Sequence, residues 1–238
     1  MQGSYNHPLF GTVVYEFEGT EENYDRGAEI TIISGFDSRA IKKVLIPQLV
    51  GIKGSDGIKD GWFGLHERGH AQLEMVFSEL ERLDLMKHVD EAGGTINRRL
   101  RKPFNALGQK VKSTLPSNHA FGIAVDINPD APNQGETTAP LAHVFLALGF
   151  NWGATFNDPM HFEVAKFIDD PQPPTLNELE RCKQLASKQF QDFVDRRRGK
   201  RKSSSLSASV GIVAADSEFE NEDQDLSLED EHDHDAQP

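Results

Sequence analysis

The sequence has one cysteine, Cys182, in 238 residues. A single thiol cannot form an intramolecular disulfide or a cysteine-rich metal site, so any bound metal must take its ligands from histidines and carboxylates. The N-terminus has no basic segment followed by an apolar one, and no run approaches the ~20 apolar residues of a transmembrane helix. We therefore expect no secretory signal, a soluble protein that is cytoplasmic at synthesis, and no membrane partner.

The chain also lacks an excess of positive charge. Its 25 basic and 38 acidic side chains give a formal net charge of −13. Residues 203–238 contain 11 of the acidic side chains and no Lys or Arg, so residues 1–202 have 25 basic against 27 acidic side chains and a formal charge of −2. A nearly neutral body argues against nucleic acid as a partner.

Apolar periodicity divides the N-terminal half into strands and one helix. Alternating or apolar runs separated by Gly, Asn and Asp predict strands at 12–17 and 29–33. Apolar residues at three- and four-residue spacing predict a helix over 71–89. The Gly93-Gly94 pair then breaks the chain, and the basic, irregular segment 95–118 is typical of a long functional loop.

The C-terminal half combines two strands with two helices. Residues 119–128 contain a strand with alternating apolar positions, and 161–164 form another. A short buried helix is expected over 141–148, after a loop rich in Pro, Asn and Gly. Thr175 with Glu178 three residues later makes a capping box for a closing helix. The whole pattern predicts an α+β fold with a small antiparallel sheet packed against helices.

Two sets of residues could bind a metal. The first is the segment His66-Glu67-Arg68-Gly69-His70, which has the H-E-x-x-H pattern of zincin metalloproteases. Leu73 and Val76 stand where the metzincin extension needs Gly and His. Glu91, a candidate third ligand, lies against the glycine break. A polar helix start on a solvated face is the other interpretation of this segment.

The second set is His119, Asp126 and His161, with Asp158 three residues before the last histidine. Three N or O ligands with one open position are typical of catalytic zinc, whereas a structural site closes all four positions. His119 and Asp126 are seven residues apart, so a continuous strand would place them on opposite faces. A bend or bulge at Gly122 would bring both to one side.

Two motifs around these residues resemble a known family. The first is SNHAFGIAVDIN at 117–128, and the second extends from GFNWG at 149–153 to DPMHFE at 158–163. In order and spacing they are similar to motifs of the D-alanyl-D-alanine carboxypeptidase (VanY-like) M15 metallopeptidases. The resemblance covers roughly residues 93–164.

The resemblance implies roles for individual residues. It makes His119, Asp126 and His161 the zinc ligands and Asp158 the catalytic carboxylate, close enough to contact a metal-bound water without binding the metal. Glu163 lies two residues beyond His161 on the same strand face, where it could orient the imidazole or be a surface carboxylate.

The family also has an arginine upstream of the first motif. Arg99 is the best match, with Arg98 and Arg101 as alternatives. The chain has Asp158 where many relatives have Glu, a form more familiar from phage-type endolysins that cut the L-Ala–D-Glu bond. Thr155-Phe156 replaces a Trp that is common in the family. These departures concern the bond that is cleaved and not the zinc chemistry.

The leading hypothesis is therefore a monomeric, zinc-dependent hydrolase of peptidoglycan stem peptides, either a D-Ala-D-Ala carboxypeptidase or an L-Ala–D-Glu endopeptidase. One alternative is a non-catalytic zinc-binding module of the same fold, and another is a zincin that uses His66, Glu67 and His70. Asp158 favours the enzyme, because a binding module does not need a carboxylate beside the open metal position. A lysis or secretion system could deliver the protein to the cell wall.

We expect one M15-like peptidase domain over residues 1–195. Its catalytic core would span about 93–170, and 1–92 would form an N-terminal strand and helix portion. Residues 196–238 are first basic, then Ser-rich and acidic. Low hydrophobicity with high like charge cannot offset the entropy of ordering, so this segment is predicted to be a disordered tail.

Overall fold

The computed structural model describes residues 1–17, 28–55, 59–94, 99–100 and 113–208, with side chains up to residue 198. Within these ranges the chain forms ten β-strands and three α-helices, which confirms the α+β class. No helix in these ranges combines the length and the apolar character needed to cross a bilayer.

The N-terminal part contains two small antiparallel sheets. The first has three strands, β1 (Gln2–His7), β2 (Gly11–Phe17) and β3 (Ile30–Ser34). The second pairs β4 (Ile41–Leu45) with β6 (Trp62–His66). The strands predicted at 12–17 and 29–33 are therefore present as β2 and β3.

A five-stranded sheet forms the centre of the fold, and its strands lie side by side in the order β5 (Lys53–Gly54), β7 (Glu91–Gly93), β8 (Ala124–Ile127), β10 (His161–Val164) and β9 (Phe150–Trp152). All neighbouring pairs are antiparallel except β5 and β7. Every residue of β8 is buried, because this strand is flanked by neighbours and covered on both faces.

Three helices complete the fold: α1 (His70–Arg82), α2 (Gln134–Ala147) and α3 (Leu176–Ala208). Part of the core lies between α2 and the central sheet. There the rings of Phe145 and Phe162 stack with their centroids 3.9 Å apart, and both are fully buried. This packing fixes the apolar face of β10.

Two helices differ in extent from the sequence prediction. α1 ends at Arg82 and not at 89, because Asp84 adopts a left-handed φ of 57° and a 3-10 turn follows at Met86–His88. α2 begins at Gln134 and not at 141, and it contains Pro140. Because proline lacks an amide hydrogen and usually interrupts helices, the sequence indicated a loop there.

The third helix extends further than expected. It continues through the basic run 196–202 to Ala208, so the first part of the predicted tail is helical. Arg and Lys favour helix, and Arg196 anchors this stretch by donating to Asn157 Oδ1 at 3.1 Å and to the Ala154 carbonyl at 2.5 Å. Residues 209–238, the rest of that tail, lie outside the described residues.

The capping box at the start of α3 forms as the sequence indicates. Glu178 N donates to Thr175 Oγ1 at 3.3 Å, and Thr175 N donates to Glu178 Oε2 at 2.8 Å. Thr175→Ala removes the hydroxyl acceptor and is expected to lower Tm by about 2–4 °C in a thermal unfolding scan. Thr175→Ser keeps the acceptor and is the control; an unchanged Tm in Thr175→Ala would contradict the cap's contribution.

Candidate metal centre

Asp126 and His161 are cross-strand neighbours in the central sheet. The antiparallel register of β8 and β10 pairs them directly, so both side chains point to the same face. His161 Nδ1 lies 3.1 Å from Asp126 Oδ1, and both residues are buried. The register of two short strands therefore fixes one half of a polar cluster.

His119 reaches this face from outside the sheet. It lies in a 3-10 turn, Asn118–Phe121, and the strand expected within residues 119–128 begins at Ala124. Ser117 Oγ caps the turn by accepting from His119 N at 3.4 Å. The turn ends at Gly122, whose left-handed φ of 61° leads the chain into β8. The expected bend at Gly122 is present, and the strand alternation does not constrain His119.

The donor atoms of the three residues converge on one point. His119 Nε2 lies 3.1 Å from His161 Nδ1 and 3.4 Å from Asp126 Oδ2. All three donor atoms lie within 4.8 Å of one another, and among the described residues this is the one group of three with that property. The group could bind a metal ion.

The outer nitrogen of each histidine faces an acceptor. His119 Nδ1 lies 3.1 Å from the Gly94 carbonyl oxygen, and His161 Nε2 lies 3.1 Å from Glu163 Oε2. A carbonyl and a carboxylate can only accept, so both outer nitrogens carry hydrogen. In the neutral form of each ring, the inner nitrogen then presents a lone pair. Two lone pairs and a carboxylate that face one another are stabilised by a cation between them, either a proton or a metal ion.

The pKa values reflect the same concentration of acceptors. Burial lowers the pKa of His161, but hydrogen bonds with Asp126 and Glu163 outweigh burial and raise it to about 10. Burial raises the pKa of Asp126, but hydrogen bonds with His119 and His161 outweigh burial and lower it. The centre therefore stabilises a positive charge, and a divalent cation can replace the proton that otherwise supplies it.

Glu163 is itself held by Asn118, which the sequence analysis did not identify. Asn118 Nδ2 donates at 2.5 Å to Glu163 Oε2, the same oxygen that faces His161 Nε2. Because Asn118 precedes His119, this contact joins the two segments that carry the histidines. The two residues are 45 positions apart, so no local pattern could indicate the contact.

Gly94 is a second residue that the sequence analysis missed. Its φ is +89°, and a Cβ at this position would lie 2.6 Å from Cε1 of the His119 ring. Only glycine has the conformation and the space to bring its carbonyl against the imidazole. The signal was visible as the Gly93-Gly94 pair, which indicated a chain break.

Asp158 lies in the turn before β10. Its carbonyl oxygen accepts from His161 N at 3.1 Å, and its amide donates to the Gly153 carbonyl at 2.9 Å. A side chain at Gly153 would overlap the Asp158 carbonyl oxygen, so the glycine of the GFNWG motif permits this turn. Burial raises the pKa of the half-buried Asp158. The charge of His161 lowers this pKa, and the charge of Asp126 raises it further. Its carboxyl is within electrostatic reach of the cluster and is not among the three converging donors.

Arg99 lies on the surface in this structure. Its Nη2 donates to Glu29 Oε1 at 3.2 Å, and no contact among the described residues joins its guanidinium to the cluster. Its carbonyl oxygen accepts from Ser117 N at 2.8 Å, two residues before His119. The alternatives Arg98 and Arg101 lie outside the described residues.

The H-E-x-x-H segment does not form the single helix that the zincin interpretation requires. His66 ends strand β6, and His70 begins α1 after the 3-10 turn Glu67–Gly69. His70 Nε2 lies 2.9 Å from the Leu65 carbonyl oxygen. Pairing of β6 with β4 prevents the i, i+4 geometry of two zinc-binding histidines.

The fold and the cluster define an α+β protein with a candidate His–Asp–His metal centre on a small, mainly antiparallel sheet. Residues 110–164 match the profile of a peptidase M15 family described as D-alanyl-D-alanine carboxypeptidase. This match confirms the resemblance to M15 peptidases over the segment that contains all three metal-binding candidates, and it supports a metallopeptidase. No curated protein and no solved structure matches the chain.

Proposed function

We propose that this protein is a zinc-dependent peptidase that hydrolyses peptidoglycan stem peptides, as a D-Ala-D-Ala carboxypeptidase or an L-Ala–D-Glu endopeptidase. One observation carries the proposal: three buried N and O donors converge within the segment that matches the carboxypeptidase family. The family's description points to peptides of the cell wall as the substrate class.

Zinc is the metal that this donor set favours. His119, Asp126 and His161 supply two imidazole nitrogens and one carboxylate oxygen, and such ligands are typical of zinc. Three protein ligands leave one position open for the reaction. When bound, zinc supplies a nucleophilic water near neutral pH and polarises the peptide carbonyl.

Asp158 is the residue that we propose to move the proton. It lies close to the cluster, and burial raises its pKa, which makes its carboxylate a stronger base than an exposed aspartate. In the proposed reaction Asp158 accepts a proton from the attacking water and returns it to the leaving amine. A non-catalytic zinc module has no use for a carboxylate in this place, so Asp158 favours the enzyme.

An arginine of the segment 98–101 is proposed to bind the developing oxyanion. Arg99, the best match, is paired with Glu29, and the two side chains are 41% and 83% exposed. An ion pair between exposed side chains contributes little stability. The Arg99 guanidinium can therefore leave Glu29 for a substrate oxygen at small cost, and Arg98 and Arg101 are the alternatives.

Mass analysis of purified muropeptides after incubation with the zinc-loaded protein tests the proposal. Loss of a single D-alanine would identify a carboxypeptidase, whereas release of the peptide that begins at D-Glu would identify an endopeptidase. Intact muropeptides after prolonged incubation would contradict the peptidase and favour the zinc-binding module.

Glu163→Ala tests whether Glu163 orients the imidazole of His161. We expect zinc affinity, measured by competition with a chelator, to fall about ten- to hundredfold, because the ring loses the acceptor that fixes its tautomer. Glu163→Gln keeps an oxygen that can accept from Nε2, so its zinc affinity should lie between those of the wild type and Glu163→Ala.

Glu180→Ala, at an exposed glutamate on α3, is the control for this series and should bind zinc like the wild type. Wild-type affinity in Glu163→Ala would show that Glu163 is a surface carboxylate without a role at the metal.

A further inference from the structure

Of the three proposed ligands, His119 alone lies outside the sheet. The other two are held against each other by the register of β8 and β10, whereas the position of His119 depends on what packs against its 3-10 turn. We infer that the N-terminal part of the chain, in its described residues 1–17, 28–55 and 59–66, positions His119 by holding this turn at Phe121 and Gly122. The inference rests on the proposed metal site.

Phe121 is fully buried among aromatic rings from the N-terminal part. Its ring centroid lies 4.8 Å from that of His7, 5.0 Å from Phe36, 5.6 Å from Phe10 and 6.4 Å from Tyr5. We call these four residues the aromatic clamp. Phe121 belongs to the same short turn as His119, so a displacement of its ring shifts the backbone that carries the imidazole.

The residue after Phe121 is held through its main chain. His66 N donates to the Gly122 carbonyl at 2.7 Å. A Cβ on Gly122 would lie 3.0 Å from His66 N and 3.1 Å from a side-chain carbon of Ile41, so strands β4 and β6 pack directly on this backbone. The first histidine of the H-E-x-x-H segment thus contributes its amide, while its ring packs 5.3 Å from Phe10.

The chain before the turn is also tied to the N-terminal part. The Tyr15 hydroxyl of β2 donates to the Thr114 carbonyl. Leu100 N donates to the Ala28 carbonyl at 2.9 Å, and Leu100 forms a β-bridge with Pro116. Contacts from residues 1–66 therefore hold the histidine-bearing segment on both sides. The N-terminal part supplies no proposed ligand. Its role at the metal is to hold the segment that carries His119.

Phe36→Ala removes one ring of the aromatic clamp and leaves every proposed ligand in place. Phe36 is half-buried, so the variant should fold. We expect its zinc affinity in chelator competition to fall about ten- to hundredfold, as for other residues that orient a metal ligand. The visible absorption of the Co²⁺-substituted protein should change as well, since these bands report ligand geometry. Phe36→Leu restores apolar contact with Phe121 and should recover most of the affinity.

Leu83→Ala is the matched control. Leu83 is also half-buried and packs on the core at the end of α1, so its loss should lower Tm comparably while zinc affinity and the Co²⁺ spectrum stay as in the wild type. Phe10→Ala is the second clamp variant, to be used if Phe36→Ala does not fold.

Two outcomes overturn the inference: equal losses of affinity in the clamp and control variants, or wild-type affinity with an unchanged Co²⁺ spectrum in the clamp variant. These metal measurements need no peptide. The two proposals can therefore fail separately. If the wild-type protein binds zinc and depends on the aromatic clamp for that binding but cleaves no muropeptide, the proposed function is wrong and this inference still holds.

Discussion

His161→Ala is expected to abolish stoichiometric zinc binding and, with it, hydrolysis of wall peptides. The substitution removes one of three proposed ligands, and Asp126 loses the imidazole that lies 3.1 Å from its carboxylate. Two remaining ligands cannot hold the metal against dialysis, because catalytic zinc sites use three. Elemental analysis of the dialysed variant measures the effect, and circular dichroism checks that the fold is kept.

His70→Ala is the control for this experiment. A zincin would need this histidine, whereas in the structure its ring contacts the Leu65 carbonyl at the start of α1. We expect His70→Ala to retain one zinc per chain. If His70→Ala lost its zinc and His161→Ala kept it, the metal would have to be placed at the H-E-x-x-H segment.

Asp158→Asn is expected to lower turnover of stem peptides by about 10²–10⁴-fold, the usual contribution of general acid–base catalysis. The amide has nearly the same shape but cannot accept the proton of the attacking water. Because Asp158 is not among the three converging donors, zinc content and substrate KM should change little. The measurement is steady-state kinetics together with metal analysis of the same preparation.

Two companion variants sharpen this test. Asp158→Glu retains the carboxylate one methylene further out and should keep part of the activity. Asp169→Asn, at an exposed aspartate that pairs with Arg68, should behave as the wild type. A wild-type rate in Asp158→Asn would show that Asp158 is not the general base, and loss of zinc in that variant would show that Asp158 is a metal ligand.

Local sequence signals predicted the elements that depend on neighbouring residues. The capping box needs only Thr175 and Glu178, three positions apart, and it forms as expected. The strand at 161–164 is likewise present as β10 with the same bounds. In both cases short-range chemistry and tertiary packing favour the same conformation, so the pattern was sufficient.

Tertiary contacts decided the residues around His119. The sequence indicated a strand within residues 119–128 and a bend at Gly122, but it did not indicate the 3-10 turn around His119 that Ser117 and Gly122 cap. The acceptor for His119 Nδ1 is the carbonyl of Gly94, 25 positions earlier. Such pairings depend on how distant segments meet, and no spacing rule in a single sequence reveals them.

In the H-E-x-x-H segment, the sequence motif indicates a geometry that the structure does not have. Its letters fit a zinc-binding helix, yet Trp62–His66 pairs with Ile41–Leu45 over five residues. The hydrogen bonds of this pairing keep His66 in a strand and prevent a helix from forming there. A motif predicts chemistry only where the surrounding elements allow the geometry that the motif assumes.

The cross-strand pairing of Asp126 with His161 has a consequence for the order of folding and metal binding in the proposed enzyme. The two strands are joined by their main chains, and their other face is sealed by Val125 and Phe162, both fully buried. Main-chain pairing and apolar packing, and not an ion, therefore place these two candidate ligands side by side. For the proposed zinc enzyme we accordingly expect the metal-free chain to fold, unlike domains whose core is organised by the ion. Zinc would then complete a preformed site, and its arrival would be the late step that switches on the proposed activity.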